Sequence, residues 1–138
     1  MNYYQTLIAV AEDCPVTSSV VPVPRGGKRT VAVEQYELLA EQPGRLTQED
    51  VLFMTWLRRQ AAAEPPDEPT VASLRERFFS QEQPCLRASP LPKKYGFGLL
   101  FDRQGLVSLC PVESPEYGRI IEDPGEVKIL KAMRSARR

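Results

Sequence analysis

GFGLLFDRQGLVSLCPV, residues 96–112, consists of two short runs rich in leucine, valine and phenylalanine, separated by Arg103, Gln104 and Gly105. A three-residue break with glycine last is the signal of a β-hairpin, because Gly105 takes a left-handed turn conformation without a Cβ clash. The chain on either side follows from that hairpin. Upstream, PCLRASPLPKKY (84–95) holds three prolines and two lysines and reads as a stiff surface crossover that leads into the first strand. Downstream, Ser114-Pro115-Glu116 supplies a cap, a proline at the first helical position and an early carboxylate, so a short helix through Ile121 is predicted.

A partner strand must come from elsewhere in the chain. YYQTLIAVA (3–11) mixes aromatic and β-branched residues, is apolar on both faces and ends at EDCP, which marks it as a central strand. Pro15, Pro22, Pro24 and the Gly26-Gly27 pair make the following segment an extended loop, in which only SVV (19–21) offers edge pairing.

Helical spacing appears over Val31 to Gln42, and more strongly in LTQEDVLFMTWLRRQAAAE (46–64). There Thr47 and Asp50 stand at capping-box positions, with Leu46 and Val51 at those of a hydrophobic staple. PPDEP (65–69) is a short connector, and Thr70 caps a third helix carrying Val71, Leu74 and Phe78 on one stripe. In the tail, Val127, Leu130 and Met133 also fall at helical spacing, with Lys128, Lys131, Arg134, Arg137 and Arg138 toward its end. Residues 125–138 therefore read as a basic helix, free to move against the rest. The expected fold is one α+β domain over residues 1–138. Its small antiparallel sheet, the N-terminal strand plus a hairpin near 96–112, is covered on one side by two or three helices.

The phrases NYYQTLIAVAEDCPVT (2–17), TVAVEQYELLA (30–40), TQEDVLF (47–53), QPCLRASPL (83–91), KKYGFG (93–98) and VESPEY (112–117) resemble an uncharacterised domain-of-unknown-function family. Its members, from bacteria and some fungi, are of about this length. The resemblance spans nearly the whole chain, apart from AAAEPPDEPTVAS (61–73), and implies one complete domain. It brings no activity, cofactor or site residue with it.

Composition excludes more chemistry than it suggests. Histidine is absent, which removes Ser-His and Cys-His catalysis, histidine-ligated metals and the commonest general base near neutral pH. Eighteen Lys plus Arg balance eighteen Asp plus Glu, so no overall field draws the chain to nucleic acid or an anionic membrane. No apolar run is long enough to span a bilayer, and TLIAVA (6–11) lacks the positive flank of a signal peptide. Together with three cysteines that cannot all pair, this gives the expectation of a cytoplasmic protein with free thiols. Cys14, Cys85 and Cys110 match no zinc spacing, so no metal is expected, and GFG is neither a P-loop nor a dinucleotide fingerprint, so no cofactor is expected.

Three site hypotheses remain. Arg87, Ser89, Lys93, Lys94 and Tyr95 could line a loop that accepts an anionic small molecule or a partner segment. Against this, prolines and lysines at a sheet edge serve solubility without any ligand. Cys85 is the one thiol with cations close in sequence and is the candidate nucleophile, although no base for it is identifiable. Cys14 beside Glu12 and Asp13, and Cys110 within a strand, read as packing residues. The basic tail helix is a third candidate, a weak nucleic-acid arm, but its charges also suit the helix dipole for local reasons.

Overall fold

A computed structural model of the chain describes residues 2–60 and 68–135. Strand β1 (Thr6–Ala9) is followed by α1 (Val31–Glu41), α2 (Gln48–Gln60) and α3 (Glu68–Phe79). A 3-10 turn (Leu86–Ala88) and α4 (Pro90–Lys94) lead into β2 (Phe97–Phe101) and β3 (Val107–Pro111). The chain ends in α5 (Pro115–Glu122) and β4 (Lys128–Lys131). The fold is α+β, around one sheet ordered β3-β2-β1-β4.

The hairpin forms as its sequence dictates. Gly105 has a φ of +82°, and the Asp102 carboxylate accepts the N–H groups of Gln104 and Leu106, each at 2.9 Å. β2 then pairs antiparallel with β1, Thr6 opposite Phe101 and Ile8 opposite Leu99. The helix starts are equally local. Thr30 accepts the Val33 N–H at the head of α1, and Thr47 and Asp50 exchange the reciprocal bonds of a capping box at α2, at 3.0 and 3.2 Å.

Five expectations need correction. The predicted basic helix over 125–138 is instead strand β4, because Lys128 to Lys131 lie parallel to Thr6 to Ala9 and complete the second edge of β1. Tertiary pairing overrides the helical spacing there, and residues 136–138 lie outside the described set. The sheet is consequently mixed, not purely antiparallel. It is covered on both faces. Ile8, Phe97, Leu99, Phe101 and Val107 pack with residues of α1, α2 and α4, while Leu7, Ala9 and Cys110 pack under Tyr117 of α5. Finally, the supposed crossover loop contains α4, whose Ser89 cap and Pro90 repeat the Ser-Pro start of α5. α3 already begins at Glu68, so Thr70 lies inside its first turn, and residues 65–67 of the expected connector lie outside the described set.

Tyr117 fixes the second layer. Its ring lies against Gly98, and its phenolic oxygen accepts the Val10 N–H at 3.0 Å. A Cβ on Gly98 would stand 3.0 Å from both the Tyr117 ring and the Cys110 carbonyl. Gly98→Ala should therefore lower the unfolding free energy by about 1–3 kcal/mol through overpacking. A urea titration giving a midpoint equal to the parent's would show that this contact relaxes freely.

Candidate functional site

The segment from Gln83 to Tyr95 carries most of the sequence candidates, and buried polar groups anchor it from below. Gln48, 1% exposed on α2, accepts the Leu86 N–H at 2.8 Å. Ser89, also buried, donates to Gln35 Oε1 of α1 at 2.6 Å while its oxygen caps Leu91 N–H of α4. Two glutamines on core helices thus hold the segment in place, since a buried donor left without an acceptor costs about 1–3 kcal/mol.

This anchoring separates the five residues proposed to bind an anion. Ser89 faces the interior. Arg87 turns to β4, where its Nε donates to the Lys131 carbonyl at 2.8 Å and its own carbonyl accepts the Met133 N–H at 2.9 Å. Lys93 and Lys94 occupy the last turn of α4, where cations suit the helix dipole, and half-buried Tyr95 packs against the main core. Its carbonyl accepts the Val20 N–H, which ties the 15–24 loop alongside through SVV (19–21) without making that segment a strand.

Cys85 is half-buried and accepts a hydrogen bond from the Tyr3 hydroxyl at 3.3 Å. Burial first, then the bond to Cys85, pushes the Tyr3 phenol up to about 12, with the nearby Arg87 guanidinium pulling it down. Tyr3 therefore stays protonated near neutral pH and can donate to the sulfur, but cannot take its proton. Cys110 is fully buried, and desolvation pushes its thiol up to about 11. Cys14 is half-buried against the main core, and the carboxylates beside it reach the tail: Glu12 pairs with Lys131 and Arg134, and Asp13 accepts the Ser135 N–H. Among the described residues, no group of His, Cys, Asp and Glu is placed to hold a metal ion, and no helix is long and apolar enough to cross a membrane.

A concave surface that joins aromatic rings to an exposed cation lies elsewhere, between α2 and α3. Trp56, Arg77, Phe78, Gln81 and Gln83 line a groove of about 360 Å³. Its two aromatic residues, Trp56 and Phe78, lie 5.3 Å apart between ring centres, and they rest in turn on Phe53 and Phe79, with Phe53 to Trp56 at 6.0 Å and Phe78 to Phe79 at 4.9 Å. Arg75 lies over Phe53 and Phe79 and pairs with Asp50 at 3.0 Å, so it is committed to holding α3 against α2. The Gln83 amide donates to the Phe78 carbonyl at 2.8 Å and closes the helix end. Arg77 is exposed and, among the described residues, has no ion-pair partner. Sequence reasoning missed this groove because Trp56 and Phe78 read as core-facing positions, and nothing in the periodicity showed that α3 would bury none of its described side chains.

A family model described as a family of unknown function, DUF6157, matches residues 1–138. The chain belongs to this family. Comparison with curated proteins and with solved structures returned no match. Membership in DUF6157 fits the sequence phrases and leaves activity to be argued from the surface.

Two measurements check the thiol and phenol environments. A small alkylating reagent should modify Cys14 and Cys85 in the folded protein and Cys110 only after unfolding; early labelling of Cys110 would contradict its burial. Unfolded, Cys110 and Tyr3 lose their protons near their ordinary values of 9.0 and 10.0, whereas the folded chain retains them to about 11 and about 12. The unfolded state holds fewer protons across this window, so stability is full below pH 9 and falls as pH rises toward 12. Urea titrations at stepped pH should show that decline, and Tyr3→Phe should shrink it to the part due to Cys110.

Proposed function

We propose that this protein is a single-domain binding module, without catalytic chemistry of its own, that recognises an anionic group carried on a flat apolar body in the α2–α3 groove. The observation that carries the reading is the exposed Arg77 guanidinium, unpaired among the described residues, beside the half-buried indole and phenyl rings of Trp56 and Phe78. Aromatic faces supply burial and stacking, and a guanidinium supplies charge-assisted hydrogen bonds to a carboxylate or phosphate. The Gln81 and Gln83 side chains at the rim add polar groups that orient a ligand, the usual composition of a small-molecule pocket. The anion-binding role expected for the Arg87 to Tyr95 loop passes to this groove, because Arg87 and Ser89 have partners within the fold.

A Cys85-dependent enzyme has less support. Tyr3 donates to the thiol and cannot act as its base, and a nucleophile needs a proton acceptor as well as a stabilised anion. The nucleic-acid reading rested on a free basic helix, and Lys131 and Arg134 are instead held at Glu12 beside a sheet edge. Three free cysteines support the cytoplasmic placement that the sequence suggests.

Trp56 is the chain's single tryptophan, so its fluorescence reports the groove directly. Titration with 2-naphthoate should change the emission saturably, and uncharged 2-naphthamide should bind more weakly. Arg77→Gln should weaken naphthoate binding by about tenfold or more, the effect of losing a hydrogen bond to a charged group. Equal binding of the amide, or an unchanged affinity in Arg77→Gln, would overturn the proposal.

A further inference from the structure

The parallel pairing of β1 with β4 determines which backbone groups of β4 face outward. Lys128 N–H donates to the Gln5 carbonyl at 2.8 Å and Ala132 N–H to the Ala9 carbonyl at 2.9 Å. In a parallel ladder, alternate residues turn both N–H and C=O to the same side, so Lys128, Leu130 and Ala132 face β1. Ile129, Lys131 and Met133 therefore present theirs on the opposite edge.

Arg87 already uses part of that edge. Its carbonyl accepts the Met133 N–H and its Nε donates to the Lys131 carbonyl, so one residue takes the place of a short strand at the end of β4. The N–H and C=O of Ile129 and the N–H of Lys131 continue the same row, and β4 is the outermost strand on its side of the sheet. Half-buried Ile129 and Leu130 lie on opposite faces of this edge, flanked by exposed Lys128 and Lys131. Arg87, Lys128, Lys131 and Arg134 surround it, and within the described residues only Lys131 and Arg134 of these four have a carboxylate partner, which both share in Glu12.

We propose that the outer edge of β4 accepts an extended acidic segment of another protein as a fifth strand, with two carboxylates three residues apart bracketing two apolar residues. The spacing follows from the alternation of the strand. Lys128 and Lys131 lie on opposite faces, and a partner residue across from each must do the same. A second copy of this chain fits poorly. Every symmetric antiparallel register that joins the outward groups of Ile129 or Lys131 sets a lysine opposite, or diagonally across from, its own twin. An acidic strand meets those charges favourably and supplies the main-chain hydrogen bonds by which edge strands capture peptides.

The probe is a capped synthetic peptide with a Glu-Val-Val-Glu core between Thr and Ser flanks, with a Lys-Val-Val-Lys version as control. Amide hydrogen exchange of the full chain, resolved by residue, should show slowed exchange at Ile129 and Lys131 with the acidic peptide only. The effect should fade as salt is raised. Ile129→Pro removes an outward N–H while leaving the β1 ladder intact, and should abolish protection at Lys131. Lys128→Glu should weaken binding roughly threefold, and it decides the matter if the proline variant does not fold. Equal protection by the control peptide, protection confined to other residues, or a salt-independent doubling of mass in sedimentation without peptide would each overturn the proposal.

Discussion

Strand β1 has only four residues, and everything else in this protein is arranged to satisfy them. Thr6 to Ala9 are buried on both faces and flanked on both edges, so every N–H and C=O among them must find a partner inside the sheet. Unpaired, each such group would cost free energy comparable to a lost hydrogen bond. Gln5, just before the strand, is the one non-glycine residue with a positive φ, 43°, among those described. That conformation lets its N–H reach the Asp102 carbonyl on the β2 side while its carbonyl receives Lys128 N–H on the β4 side. A residue in a sparsely populated backbone region thus joins both neighbours at once, and its strain is balanced by the pairing on either side.

Because β1 consumes the interior of the sheet, the polar side chains within the core are left to position the segment above it. Gln35 and Gln48 hold Ser89 and the Leu86 backbone, Arg87 reaches across to β4, and Tyr3 closes over Cys85. Residues that look reactive in a sequence are here the fasteners between two helices and an edge strand. The open, aromatic surface is correspondingly displaced to α3, the element with the weakest hold on the core.

What the sequence reveals and what it conceals divide along the distance over which each interaction acts. The turn at Gly105, the capping box of Thr47 and Asp50, and the Ser114-Pro115 start are each decided within five residues, and each forms where it is legible. α4 carried the same Ser-Pro signal at Ser89-Pro90 and could have been found by it. The tail is different in kind. Val127, Leu130 and Met133 fall at helical spacing and suggest a helix, and only the vacant edge of β1, nearly the whole chain away, makes 128–131 a strand. The partners of Ser89, Cys85 and Arg87 are hidden for the same reason, since Gln35, Tyr3 and Lys131 are remote in sequence and bear no local mark.

The parallel pairing of β1 with β4 also has a bearing on how the chain reaches this state. The β2–β3 hairpin and the capped helices rest on local contacts and can form early, whereas Thr6 meets Lys128 only by closing almost the longest loop available. Until that happens, the one strand buried at every position has one edge bare. The strand that covers that edge is lysine-flanked, so the new edge it presents carries charges that discourage pairing with stray copies.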